Sequence, residues 1–83
     1  MSTDIVMPFL YETMEEGTIA RWLKEPGDQV AFGEELVEIE TDKATMSYES
    51  DTAGVLLEVL VPAGETVETG HVIARIGAPE EAA

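Results

Sequence analysis

The chain contains no cysteine, so disulfides and thiolate metal sites are ruled out from the start. It is nearly as poor in positive charge: four Lys and Arg residues stand against 18 Asp and Glu, a net charge of −14. Nucleic acids and anionic membrane surfaces are bound by Lys and Arg that displace counterions. Neither is therefore an expected partner, whereas basic protein surfaces are attracted. The single histidine, His71, follows a turn glycine and has no ligand-like spacing to other donors, so no metal or general-base role is expected of it. Calcium-loop, phosphate-cradling glycine and Ser or Cys nucleophile patterns are all missing. By itself the chain is not expected to be an enzyme. No apolar run is long enough to cross a bilayer, and none resembles the apolar core of a signal peptide. Met1-Ser2-Thr3 reads as a natural start without a transit peptide, and the expected location is a bacterial cytoplasm.

What is present points to a small β domain. Eighty-three residues suffice for one domain with a modest core, and the 45% apolar fraction, interspersed with acids, argues against disorder. Thr18–Leu23, Leu36–Glu40, Thr45–Glu49, Val55–Val61 and Val72–Ile76 are short, rich in β-branched residues and bounded by turn residues. No helical period is sustained. The pattern repeats at an offset of 37: Gly17, Gly27, Val30 and Gly33 recur as Gly54, Gly64, Val67 and Gly70. Leu23, Leu36 and Ile39 recur as Leu60, Ile73 and Ile76, and Asp28 recurs as Glu65. The expected fold is all-β, with two similar halves facing each other as a flattened barrel or sandwich. Trp22 alternates with apolar neighbours and is placed in the core.

Lys43 carries the chemical interest. It sits in Thr41-Asp42-Lys43-Ala44, a turn between two alternating strands, where the favoured hairpin tips are Asn-Gly or Asp-Gly. The same offset matches position 43 to positions 6 and 80, near the two chain ends. With two-fold related halves, the ends meet at one pole and the Lys43 hairpin projects from the other. An ordinary lysine titrates near pH 10.4 and is a poor nucleophile at neutral pH. An amine presented in this way suits modification by an enzyme better than independent catalysis.

These residues resemble the lipoyl domain of the 2-oxo acid dehydrogenase complexes. Glu40-Thr41-Asp42-Lys43-Ala44 is similar to that family's lipoylation hairpin, and Gly27 to Glu34 to its upstream turn. Met7-Pro8 and Met14 to Ile19 are similar to its opening strand and loop, so the resemblance covers residues 4–77. It implies a barrel-sandwich hybrid of two four-stranded sheets with quasi-two-fold symmetry over residues 1–77. Residues 78–83, Ala-Pro-Glu-Glu-Ala-Ala, begin a linker. It implies lipoic acid in amide linkage to Lys43, installed by a lipoate ligase or lipoyl transferase. The arm would be acylated by a thiamine-diphosphate 2-oxo acid dehydrogenase and would deliver to an acyltransferase core of its own chain and coenzyme A. Dihydrolipoamide dehydrogenase would then reoxidise it. Met7-Pro8 and Thr13 to Gly17 look like the acetyltransferase version, which makes pyruvate the expected substrate, followed by branched-chain 2-oxo acids or acetoin.

The flanking residues Glu40, Thr41, Asp42 and Ala44 are candidates for recognition by the modifying or acylating enzymes. Asp42 could equally begin the turn with its side-chain acceptor, and Glu40 reads as a solvent-facing strand position. In the family, the loop matching Phe9 to Glu16 lies near the hairpin and helps the dehydrogenase choose its carrier. Leu10 and Met14 are expected in the core, while Tyr11 and Glu12 are candidate recognition residues that depart from the small or Pro-containing stretch of many members. Two other readings stay open. A biotinyl carrier usually flanks its lysine with methionines, whereas Asp42 and Ala44 flank Lys43 and Met46 comes two places too late. A β-adaptor domain would leave Lys43 unmodified.

Overall fold

A computed structural model describes residues 2–78. Among these described residues are eight strands and no helix: β1 (Thr3–Val6), β2 (Glu16–Trp22), β3 (Gln29–Val30), β4 (Glu35–Glu40), β5 (Thr45–Glu49), β6 (Gly54–Val59), β7 (Thr66–Glu68) and β8 (Val72–Gly77). They form two four-stranded sheets, ordered β1-β8-β6-β3 and β5-β4-β2-β7, in which each strand runs antiparallel to its neighbours. This is the all-β, two-sheet architecture expected from the sequence. The inward residues of both sheets, among them Ile5, Met7, Ile19, Leu36, Ile39, Leu56, Ile73 and Ile76, close into one buried core. Trp22 packs against its edge, and its indole N–H donates to the Val61 carbonyl at 2.9 Å.

The 37-residue repeat is a structural symmetry down to single hydrogen bonds. Strand β4 covers residues 35–40 and β8 covers 72–77, the same span moved by 37. The register of β2 on β4 slips between Ile19 and Arg21, and that of β6 on β8 slips between Leu56 and Glu58, the equivalent place. Gly27 N–H donates to the Leu56 carbonyl at 2.8 Å, and Gly64 N–H to the Ile19 carbonyl at 2.7 Å. An ion pair recurs with its charges exchanged: Arg21 with Glu38 at 2.8 Å in one half, Glu58 with Arg75 at 3.3 Å in the other. In both halves the acid and base face each other across adjacent strands, where opposite charges are favourable.

The first strand follows a different rule. Val37, Glu38 and Ile39 pair with Tyr48, Ser47 and Met46, while Ala74, Arg75 and Ile76 pair with Ile5, Asp4 and Thr3. Strand β1 therefore stands in for β5 at an offset of 43, since 48 − 43 = 5 and 46 − 43 = 3. The match of position 43 to Val6 is thus corrected. The hairpin's counterpart is the gap between the start of β1 and the end of β8, because β5 follows β4 directly whereas β1 and β8 are the first and last of the described strands. Position 80 lies outside the described residues.

The two poles follow from the pairings. Gly70 N–H donates to the Met7 carbonyl and Thr69 N–H to the Glu15 carbonyl, so β8 starts beside the beginning of β2, whose Thr18 faces Glu40 at the hairpin end of β4. Strand β8 ends beside Gly54, where the Gly77 carbonyl lies 2.6 Å from the site of a Cβ at position 54. Gly54 pairs with Val30, at the far end of the β4–β5 ladder, where Gly33 N–H donates to the Ser50 carbonyl. The Lys43 hairpin and the outer ends of β1 and β8, Thr3 and Gly77, therefore occupy opposite poles. Of the expected linker, residues 79–83 lie outside the described residues.

Candidate functional site

Strands β4 and β5 give the hairpin its stiffness, and Thr41 gives it its shape. Thr41 N–H donates to the Ala44 carbonyl at 2.9 Å, closing the four-residue turn. The Thr41 hydroxyl also donates to that carbonyl at 2.8 Å and accepts from the backbone N–H groups of Lys43 and Ala44 at 3.2 and 3.1 Å. One side chain thereby binds three backbone groups of the tip. No non-glycine residue among those described has a positive φ, so Lys43 sits in ordinary backbone geometry. The left-handed tip that would favour glycine is not used. The side-chain acceptor that starts the turn belongs to Thr41, not to Asp42 as the alternative reading supposed.

Asp42 is directed elsewhere. Its carboxylate accepts the Tyr11 hydroxyl at 2.5 Å, across 31 residues of sequence. That hydrogen bond, reinforced by a small desolvation and by the negative charge of Asp42, holds the Tyr11 phenol above its ordinary pKa. The Lys43 ammonium lies 5.2 Å from the centre of the Tyr11 ring, within range of a cation–π interaction. Lys43, Asp42 and Ala44 are exposed, Glu40 faces solvent, and Glu12 is exposed on the loop.

Packing beneath the surface brings Tyr11 to the hairpin. Met14 is 2% exposed and Met7 is fully buried. Both occupy the space left by the missing side chain of Gly17, with Met14 Cε, Met7 Sδ and Ile39 Cγ2 all within 2.9 Å of where its Cβ would stand. Ile39 lies on β4 immediately before the tip, so the loop is docked on the strand that carries the hairpin. A reverse turn from the Tyr11 carbonyl to Met14 N–H, 3.2 Å, then lifts the phenol ring over Asp42 and Lys43. Leu10 packs against the core while Phe9 is 68% exposed. Between loop and hairpin runs an open cleft lined by Tyr11, Thr13, Glu15, Glu16, Glu40 and Asp42.

The amine is chemically available. Arg21, Lys24 and Arg75 each form an ion pair, whereas Lys43 forms none with a described residue. No hydrogen bond of the turn uses its side chain, so a group joined to Nζ displaces nothing that holds the tip together. That is what a covalent attachment point requires. Among the described residues no cluster of three His, Asp or Glu could hold a metal ion. The structure brings Tyr11, Thr41, Asp42 and Lys43 together, while Glu12 and Glu40 make no contact with the amine. Thr13, Glu15 and Glu16 stand on the cleft wall, within the loop that the family resemblance places near the hairpin.

Known proteins share both sequence and shape. A family profile described as "Biotin-requiring enzyme" matches residues 3–76. The chain is 49% identical over 82 residues to the dihydrolipoyllysine-residue succinyltransferase component of the 2-oxoglutarate dehydrogenase complex of Bacillus subtilis, covering 96% of this chain and 20% of that protein. It is 51% identical over 75 residues to the dihydrolipoyllysine-residue acetyltransferase component of the pyruvate dehydrogenase complex of Zymomonas mobilis, covering 89% of this chain and 17% of that protein. It thus spans a fifth or less of the length of these curated relatives. The solution structure of the lipoyl domain of the 2-oxoglutarate dehydrogenase complex from Azotobacter vinelandii superimposes with a TM-score of 0.72 at 36% identity, covering 89% of this chain and 94% of that one.

Proposed function

The chain belongs to the biotin- and lipoyl-attachment family, as a lipoyl domain, and from that premise we propose that Lys43 is the residue that bears its lipoyl group. Lipoyl domains carry lipoic acid covalently on a lysine. The observation that carries the assignment is the exposed ammonium, without an ion pair to any described residue, at the tip of a hairpin locked by Thr41. A ligase or transferase presenting an activated lipoyl group would form an amide to Nζ. The activating group leaves, the ammonium gives up two protons, and its positive charge is lost. When bound, the lipoyl group supplies a redox-active disulfide that carries acyl groups and electrons.

The remaining work is presentation, and this chain's own residues perform it. Thr41 fixes the tip so that little conformational freedom remains between strand and arm. Tyr11 and Asp42 tie the loop to the base of the arm. The chain ends, at the opposite pole, are where a linker beginning near residue 78 would tether the domain without obstructing the tip. The net charge of −14 draws the domain towards basic surfaces on partner enzymes.

The parent chain on this reading is a dihydrolipoamide acyltransferase of the bacterial cytoplasm. Its partners are a thiamine-diphosphate 2-oxo acid dehydrogenase and dihydrolipoamide dehydrogenase. Pyruvate is the proposed substrate, supported by Met7-Pro8 and the Thr13 to Gly17 segment. The relatives act in both pyruvate and 2-oxoglutarate complexes, so the test uses both acids. Lipoylated protein is incubated with each cognate dehydrogenase and its radiolabelled 2-oxo acid. Label is expected on the wild type with pyruvate and none on Lys43→Arg. Labelling of Lys43→Arg would overturn the attachment site, and labelling from 2-oxoglutarate with pyruvate inert would reassign the substrate.

A further inference from the structure

Tyr11 touches the attachment hairpin in two chemically different ways. Its hydroxyl donates to Asp42 at 2.5 Å, a bond that does not involve the lysine side chain. Its ring lies under the Lys43 ammonium at 5.2 Å from the centroid, an attraction that depends on the positive charge. Amide formation at Nζ would remove the charge on which the second contact depends and leave the first intact.

We infer that Tyr11 is a charge-sensitive latch on Lys43, holding the unmodified ammonium against the loop and releasing the arm once an amide has neutralised it. The inference rests on Lys43 being the attachment lysine. Three features support it. Lys43 has no ion pair with a described residue to compete with the ring, unlike Arg21, Lys24 and Arg75. The ring is held in place from both sides, by the Asp42 hydrogen bond at its tip and by the Tyr11–Met14 turn, whose Met14 is buried. Lys43 is exposed and Tyr11 is only partly buried, against the edge of the core, so the lysine can leave the ring without opening the core. A cation–π contact of this exposed kind changes the ratio of docked to free arm by about two- to fivefold. That is enough to bias the arm and small enough not to obstruct a modifying enzyme. After release, the loop and the tip stay joined through Asp42, so modification frees the arm without loosening its base. The unmodified and modified domains thereby differ at the surface that partner enzymes meet.

The test is a comparison of nuclear Overhauser effects between the Tyr11 ring protons and the Lys43 side-chain methylenes in unmodified and enzymatically lipoylated protein. Cross-peaks are expected in the unmodified domain. They should weaken, by up to about fivefold, relative to those within the Tyr11 ring, once the lipoyl group is attached. Equal cross-peaks in both forms would show the contact to be independent of charge and overturn the latch. Their absence from the unmodified form would overturn it as well. In a Lys24→Arg background, chemical acetylation of Lys43 removes the same charge without the ligase and permits the same comparison. Failure of the ligase to modify Lys43 would therefore refute the attachment reading, while the acetylated sample still decides the latch.

Discussion

Thr41 binds three backbone groups of the hairpin, a role that glycine conformations fill in tighter turns, and this leaves Lys43 without structural duties. Thr41→Ala is expected to destabilise the domain by about 1 kcal/mol, the net value of the lost side-chain hydrogen bonds at an exposed site. Thr41→Ser should restore most of it, as read from urea midpoints. Lys43→Arg should leave the midpoint unchanged, since no hydrogen bond or ion pair with a described residue is lost, yet accept no lipoyl group. Tyr11 provides a pH signature. Its phenol is held above its ordinary value near 10, mainly by the Asp42 hydrogen bond, so the folded state keeps its proton longer than the unfolded chain. The associated stability is fully present below pH 10 and is lost as the pH rises through the folded value. Tyr48 is also raised, by burial and by the charge of Asp51, so the two tyrosines must be separated by mutation. Asp42→Asn should lower the Tyr11 transition in an ultraviolet phenolate titration and leave that of Tyr48 in place. An unchanged Tyr11 transition would contradict the hydrogen bond.

At the scale of strands and turns, equivalent positions need not carry equal weight. Gly17 and Gly54 are partners in the 37-residue repeat, and a Cβ at either would meet neighbours inside 3.0 Å. At Gly17 those neighbours are side-chain atoms of Met14, Ile39 and Met7, two of them on flexible methionines, whereas at Gly54 the nearest is the backbone carbonyl of Gly77 at 2.6 Å. Backbone in a sheet yields less readily than a methionine terminus. Gly54→Ala is therefore expected to cost about 1–3 kcal/mol, the usual range for overpacking, and Gly17→Ala less, as measured by chemical denaturation. The repeat also explains what was legible in the sequence. Strand β5 coincides with its predicted span, and β2, β4, β6 and β8 lie within a residue or two of theirs, because alternation and bounding turns are local signals. Strand β1 obeys an offset of 43 instead of 37, so the repeat as read misplaced the counterpart of Lys43. The Tyr11–Asp42 bond spans 31 residues and has no local pattern to announce it. A turn-starting role for Asp42 is one of two readings the sequence leaves open, because Thr and Asp can both accept from the backbone two and three places on; the geometry gives that role to Thr41.

For the molecule as a whole, the charge and the two poles govern behaviour. A net charge of −14 on 83 residues produces self-repulsion that salt relieves. Raising ionic strength from about 0.01 to 0.15 M shortens the screening length from about 30 to about 8 Å, and the melting temperature is expected to rise. A fall would show that attractive ion pairs such as Arg21–Glu38 outweigh the repulsion. The polar arrangement, with chain ends opposite the hairpin, suits a domain that is tethered at one end and reacts at the other. The central claim is that the reactive end is Lys43. The most direct test is intact mass with peptide mapping after incubation with lipoate ligase, lipoate and ATP, beside a biotin ligase control. One lipoyl group, mapped to Lys43 and absent from Lys43→Arg, is the expected result. Biotin addition in its place, lipoyl addition at Lys24, or an unchanged mass with both enzymes would contradict the account.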